Sequence, residues 1–566
     1  MKRNIGFAFL LIIALLLSGC TLDGSDTAII TNQLNSDDTR VSFDTFDDTI
    51  TFYNTEITST NGVVNISQNI VTINTAGVYL FSGSSLNARI VVNAGDEDNV
   101  FLVLSGLDLT SSEDAPITIT NADKAIINLV EGTINTLTDS ASSLNDHSAC
   151  ISSSDDLSIN GSGSLTINAN YKNGIDSNDD LVIAGGNIAI LADNDAIKAN
   201  NSFTMTETTL TLESDNDGIH VESDESSLGN VLLISGTLSV SSYGDGIDAS
   251  NQVVISSGTY NLVSGVGNSN IDSVSGKGIK ATSLIMIKDG EFTINSKDDS
   301  IHSNDDLRIT GGNFDIYSGD DGIHSDTSLE ISGGTFNIAR AYEGIESLSL
   351  EISGGFIYIN SSDDGINGAD GTDSSGTFAW DPHAGGGMSS GNASLKITGG
   401  TIYINSIGDG VDINGSISMS SGALLVAGPT SSDNGAIDYD GSFTINGGLL
   451  VCAGSSGMAQ NVSSGSSQTT VLITLSSTTS RMFHLESADG ENIATLSPGK
   501  SYQSILVSSP KLNVGSSYTI YIGGDMTDFA TEIYGYYDGG TYVAGTEYAT
   551  FSISQTISTV GSSMYR

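Results

Sequence analysis

Acidic residues recur in this chain in a fixed phase with one apolar residue. That residue is Ile175, Ile197, Ile219, Ile247, Ile279, Ile301, Ile323, Ile345, Ile366, Val411 and Ile437. Two places before it stand Asp195, Asp217, Asp245, Lys277, Asp299, Asp321, Glu343, Asp364 and Asp409, doubled by Asp298, Asp320 and Asp363. One place after it stand Asp176, Lys198, His220, Asp248, Lys280, His302, His324, Glu346, Asn367, Asp412 and Asp438. Carboxylates held close together repel one another and need a counter-charge to stay ionised. Calcium supplies one: its oxygen ligands sit at about 2.3–2.6 Å, so an ion between two carboxylates spans about 4.6–5.2 Å. Magnesium prefers a tighter octahedron and its own waters, and zinc on His302 and His324 suits carboxylate surroundings less well than a hard ion does. The candidate ligands are Asp217, Asp245, Asp248, Asp298, Asp299, Asp320, Asp321, Glu343, Glu346, Asp363, Asp364, Asp409 and Asp412. A solvated acidic face is the bland alternative. The strict register of the acids with the core speaks for calcium, because a face that only confers solubility has no need of register.

The elements that would position these residues follow from the spacing. Successive central residues are separated by 22, 22, 28, 32, 22, 22, 22, 21, 45 and 26 positions. A recurring period of this size is the mark of a solenoid. Between signatures, Leu307 to Ile316 recurs as Leu329 to Ile338, and again from Leu181, Leu350 and Leu395. Apolar and polar residues alternate on either side of a Gly-Gly pair in each copy, the pattern of two short strands meeting at a corner. Glycine suits such corners because it adopts positive φ without steric cost. With the signature as third strand, the prediction is an all-β chain, a right-handed parallel β-helix of about 22 residues per turn, with Leu, Ile and Phe stacked inward. Rungs of a β-helix lie about 4.8 Å apart, the span that a calcium ion bridges.

The 566 residues carry 67 acidic and 18 basic side chains, for a net charge of −49. That charge excludes nucleic acid and anionic membrane surfaces as partners of the body and favours a monomer. Lys2 and Arg3 precede an apolar run from Ile5 to Leu17 that ends in Leu17-Ser18-Gly19-Cys20, a signal with a lipoprotein box. The expected organisation is an export signal at 1–20 with lipidated Cys20, a tether at 21–45, the β-helix at 46–465 and a C-terminal β module at 466–566. The protein is then exported and anchored at the cell surface, touching the membrane only through its lipid. Cys150 and Cys452, far apart in sequence, are expected as buried free thiols. The long gaps place inserts around Glu222–Asn230, Gly265–Gly276, Gly368–Gly391 and Pro429–Asn434, all flanking the signature strand. Inserts on one face of a solenoid build its binding face. The third insert holds the single tryptophan, Trp380, which with His302 and His324 is the candidate for sugar contact; a plug that pins the loop is its alternative. Tyr358 and Tyr403 form either a second platform or a structural ladder.

The ordered variants of the signature carry a resemblance. Gly276-Lys277-Gly278-Ile279-Lys280, Asp298-Asp299-Ser300-Ile301-His302, Asp320-Asp321-Gly322-Ile323-His324, Tyr342-Glu343-Gly344-Ile345-Glu346 and Asp363-Asp364-Gly365-Ile366-Asn367, then Gly435-Ala436-Ile437-Asp438, resemble a bacterial calcium-binding, carbohydrate-binding β-helix family. The resemblance covers roughly residues 45–525. It implies a fold akin to that of family 9 pectate lyases and non-catalytic, calcium-dependent capture of polysaccharide of the polygalacturonate or cellulose type. The same kinship implies a rival: a calcium-dependent lyase in which Lys277 or Lys280 removes the proton beside a uronate carboxylate. A third reading is a calcium-stiffened stalk or adhesin. No nucleophile elbow supports serine-histidine-acid catalysis.

Overall fold

A computed structural model describes residues 34–54, 56–143, 147–265, 275–369 and 391–561. Cys20 and Trp380 lie outside these residues. Among the described residues there is no helix; the chain is a parallel β-solenoid closed by a separate antiparallel sheet.

Each turn contributes one strand to each of three stacked faces. On the signature face, strands such as Ile219–Val221, Ile247–Ala249, Ile279–Ala281 and Ile301–Ser303 pair in parallel. Their register sets Ile175, Ile197, Ile219, Ile247, Ile279, Ile301, Ile323, Ile345, Ile366 and Val411 directly on one another. The period read from the sequence is therefore the rung repeat. These side chains are buried in one continuous core with the Leu and Ile columns of the other two faces. Stacking identical residues one rung apart also brings aromatic rings to their contact distance. Tyr260, Phe292, Phe314 and Phe336 lie 4.9, 4.5 and 4.6 Å apart, centroid to centroid, with the last two pairs within 5° of parallel.

The two glycine positions have different causes. At the Gly-Gly corner the second residue does need positive φ, +102° at both Gly312 and Gly334. The signature glycine does not. A Cβ on Gly344 would stand 2.2 Å from the Ile359 Cγ2 and 2.4 Å from the carbonyl oxygen of Gly365. Close packing of rung on rung, rather than backbone conformation, selects it.

The off-period amino end joins the same solenoid through irregular turns. Asp48–Tyr53 pairs in parallel with Gly77–Ser85, and that strand with Asn99–Thr110. Residues 34–45, expected as tether, rest on the first turns: Lys124 reaches Asp38 at 2.6 Å, and the Phe43 ring lies 5.2 Å from that of Phe101, centroid to centroid. At the other end, Leu449–Gly454 meets Tyr502–Ser508 antiparallel, which closes the last parallel edge. A six-stranded antiparallel sheet follows, and its apolar cluster around Phe483, Leu485, Tyr518 and Ile520 is continuous with Tyr403, Leu425 and Val451 of the solenoid. Tyr534 of this sheet stacks on Tyr358 and Tyr403 at 4.2 and 4.8 Å. The tyrosine ladder is thus covered by the module and serves to dock it. Cys150 and Cys452 are buried free thiols.

Phe314 is 3% exposed and has a ring on each side. Phe314→Ala should cost about 3–5 kcal/mol by leaving a cavity in a column that cannot collapse. A lower midpoint of chemical unfolding measures it, and an unchanged midpoint would refute the stacked core.

Candidate functional site

The acid column is built by its own backbone. The Asp195 carboxylate accepts the Asp217 N–H at 3.2 Å, Asp217 accepts the Asp245 N–H at 2.7 Å, and Asp245 accepts the Lys277 N–H at 2.8 Å. Asp299 likewise accepts the Asp321 N–H at 2.9 Å, Asp364 the Asp409 N–H at 2.6 Å, and Asp409 the Gly435 N–H. Each aspartate thus secures the same position of the next rung through one oxygen. Lysine cannot accept, and at the rung after Lys277 the Asp299 N–H turns to the Asp298 carboxylate at 3.0 Å instead. Register of acid with core therefore has a structural cause that the sequence reading did not contain.

The second oxygen divides the column into two blocks. In the first block it meets a cation or an imidazole. Asp217 contacts the His220 Nδ1 at 3.0 Å, and Lys280 reaches Asp248 at 3.2 Å and Asp245 at 3.6 Å. Lys277 lies between Asp299 at 2.7 Å and Asp298 at 3.2 Å. Asp299 also meets the His302 Nδ1 at 2.8 Å, and Asp321 the His324 Nδ1 at 2.9 Å. The two imidazoles stack on each other at 4.8 Å, and His324 is 1% exposed. Their Nε2 atoms reach Asn304 at 3.1 Å and Asp326 at 3.0 Å. Both rings are enclosed by protein, so neither presents a face to a sugar.

Charge in this block is shared out accordingly. Burial works against the imidazolium of His324, yet hydrogen bonds to Asp321 and Asp326 raise its pKa to about 11. The hydrogen bond to Asp217 raises His220 to about 9. Burial would lower Lys280, but Asp248 and Asp245 beside it prevail and hold it above its ordinary value. Asp299, although buried, is held below the usual range by His302 and Lys277.

The second block is Glu343, Glu346, Asp364, Asp409 and Asp412, all carboxylates, with the His324 Nδ1 4.0 Å from Glu346 at its edge. Burial, with Glu346 adjacent, pushes Glu343 up to about 9, and burial beside Asp321 pushes Glu346 up to about 7. Burial and Asp363 raise Asp364 to about 8; burial, with Asp412 and Asp438 close by, raises Asp409 to about 7. Asp412 rises to about 6 for the same reasons, burial first and then Asp438. Carboxylate oxygens of Asp364, Asp409 and Asp412 all lie within 4.8 Å of one another. That spacing and an all-oxygen donor set fit a calcium ion. The other clusters are of different composition. Asp299 with His302 and His324, Asp217 with His220 and Asp248, and Asp321 with His324 and Glu346 include imidazoles; Asp298, Asp299 and Asp320 include two acids already paired with Lys277.

Most of the sequence candidates therefore do share one face, but Asp217, Asp245, Asp248, Asp298 and Asp299 have protein counter-charges there. The candidate set had left out Asp438, which extends the carboxylate block by one rung, and Asp326 and Asn304, which complete the histidine pair. The signature column signals Asp438, and a polar residue two places after each histidine signals the other two.

Parts of the chain are similar to known proteins. Residues 67–322 match the family described as carbohydrate-binding domain-containing protein. The match includes Asp217 to Asp321 of the cation-balanced block and ends just before His324. A carbohydrate-binding domain-containing protein of Acetivibrio thermocellus is 40% identical over 150 residues, which cover 25% of this chain and 52% of the relative. The chain thus spans about half the length of the curated relative it matches. A solved structure described as the polysaccharide lyase-like protein from C. thermocellum, a gadolinium derivative, is 29% identical, covers 50% of this chain and 96% of its own, and superposes with a TM-score of 0.36.

The raised carboxylates fix the sign of the pH dependence. Between their ordinary values and the raised ones, Glu343, Asp364 and Asp409 hold protons that the unfolded chain has released. His220 and His324 do the same above the ordinary imidazole value. Stability that depends on extra bound protons falls as pH rises. The melting temperature of the chelator-treated protein should therefore drop steadily from about pH 5 to about pH 9. Asp48, held at about 2 by hydrogen bonds from Ser59 and the backbone of Asn61 and Val63 despite its burial, adds stability above its ordinary value and loses it only on acidification toward 2. A melting temperature that is flat or rising over the alkaline range would contradict the assignment.

Proposed function

We propose that the protein captures acidic polysaccharide of the polygalacturonate type, without cleaving it, through calcium held by Glu343, Glu346, Asp364, Asp409 and Asp412. The observation that carries the reading is a run of carboxylates at rung spacing with which, among the described residues, no lysine or arginine pairs and which only His324 approaches, 4.0 Å from Glu346, beside a block where Asp217, Asp245, Asp248, Asp298 and Asp299 each have a cation. Such a run resists ionisation by itself and ionises when an external cation arrives. Calcium bound there would offset the acids and offer coordination positions to uronate carboxylates. The protein's own contribution is to fix the donors. The N–H groups of Asp409 and Gly435 hold one oxygen of Asp364 and Asp409, and the Asn367 amide holds Glu343 at 2.7 Å.

The match to a carbohydrate-binding family supports polysaccharide as the partner. Binding without β-elimination is supported by the lysines: Lys277 is engaged by two aspartates, and Lys280 is held protonated by Asp245 and Asp248. A base must release its proton before it can take another. In this reading the lipidated Cys20 would hold the protein at the cell surface, and the −49 charge keeps the body clear of anionic lipid headgroups.

Calorimetric titration with polygalacturonate, with calcium and with chelator, tests the proposal, with absorbance followed for unsaturated product. Binding that calcium strengthens and chelator weakens, with no product, is the expected result. Product would make the protein a lyase, and absence of binding in either condition would leave the column as architecture. The Asp409→Asn, Asp412→Asn double variant keeps the acceptor for the Gly435 N–H and should lower calcium affinity by about tenfold or more.

A further inference from the structure

The antiparallel module carries a cleft remote in sequence from the acid column and outside the stretch matched to the carbohydrate-binding family. It encloses about 260 Å³ between the strands Thr470–Thr479, Ser517–Thr527 and Thr541–Ser552. Its lining includes buried Leu475 and Ile522, together with Arg481, Thr546, Glu547 and Tyr548.

Hydrogen bonds fix the backbone of Arg481. Its N–H donates to the Thr479 hydroxyl at 3.1 Å, and its carbonyl accepts the Tyr502 hydroxyl at 2.6 Å. The guanidinium lies across Gly523, where a Cβ would stand 2.1 Å from one of its nitrogens and 2.6 Å from its central carbon. Gly523, at φ +83°, thus provides the room for a flat, oriented guanidinium. Among the described residues Arg481 forms no ion pair, in a chain with 67 acidic and 18 basic residues. Tyr548 is 37% exposed, and its hydroxyl is fixed by the Ser476 N–H at 2.7 Å. The cleft therefore combines a cation seated over Gly523 for a carboxylate, an aromatic side chain for the apolar side of a ring, and hydroxyl and carboxylate acceptors for ring hydroxyls. Those features together describe a sugar acid.

We propose that this cleft is a metal-independent subsite for a hexuronate residue, whose carboxylate pairs with Arg481 while its ring lies on Tyr548. The assignment rests on the reading of the protein as a binder of acidic polysaccharide. It adds a second, chemically different hold on the polymer: cation bridging on the solenoid and direct arginine recognition on the module.

The test is titration of the full protein with trigalacturonate and with cellotriose in excess chelator. Trigalacturonate should bind without metal and cellotriose about tenfold more weakly or less, since a charged hydrogen-bonded pair is worth about that factor. Arg481→Gln and Tyr548→Ala should each reduce the chelator-resistant affinity about tenfold. Arg481 is exposed, so the unfolding midpoint of its variant should match that of the parent and report that the fold is intact. No chelator-resistant binding, equal binding of cellotriose, or binding indifferent to Arg481→Gln would overturn the proposal. Arg481-dependent binding that calcium fails to strengthen would uphold the cleft and sink the calcium reading, whereas binding that appears only with calcium would do the reverse.

Discussion

Parallel strands in a solenoid stack at a spacing set by the backbone hydrogen bond, and whatever a sequence places at one rung position is brought that close to its counterparts above and below. The sign of the resulting interaction depends on the side chain. For Phe292, Phe314 and Phe336 the spacing is close to ring contact, and the column is cohesive. For Asp364 and Asp409 the same spacing forces like charges together, and the native state keeps protons on them at pH values where free carboxylates have none. Core and candidate site are two consequences of a single constraint.

The chain relieves that repulsion in three ways along one face. One oxygen of Asp195, Asp217, Asp299 and Asp364 accepts the N–H of the following rung, which adds hydrogen bonds along a repulsive column. Lysines and imidazoles pair with the acids of the block that includes Lys277, Lys280, His302 and His324, although burial still raises Asp245 to about 6 and Asp321 well above its ordinary value. In the block from Glu343 to Asp412 the relief comes from protonation. This unequal distribution makes the proposed calcium site local: only where the protein has left charge uncompensated does an external cation gain from entering.

The fold was legible because the repeat unit in sequence is the repeat unit in space. Once Ile301, Ile323 and Ile345 fall at equal intervals, parallel pairing in that register follows, and the structure has it. The column of acids was legible for the same reason. What could not be read was how each acid spends its oxygens, because an acceptor for the next rung's N–H and a metal ligand share the same residue type and phase. Nor could the sequence reveal that the signature glycine answers to Ile359 and Gly365 pressing on it, since those residues approach only after the rungs have stacked. The docking of the module through Tyr534 escaped notice because that residue lies outside any repeat and meets Tyr358 across more than a hundred residues of chain.

The hydrogen bond handed from Asp195 to Asp217 to Asp245 has a direction, and every link presents the next rung with the same acceptor that it received from the previous one. A turn copied in tandem inside such a run would find its socket above and its plug below already matched. Lengthening by duplication is therefore cheap within a run, and it is blocked where Lys277 interrupts the relay and Asp298 must substitute. The aspartate relay makes the solenoid extensible in whole turns, so the length of its charged face is a trait that descent can adjust without redesigning the fold.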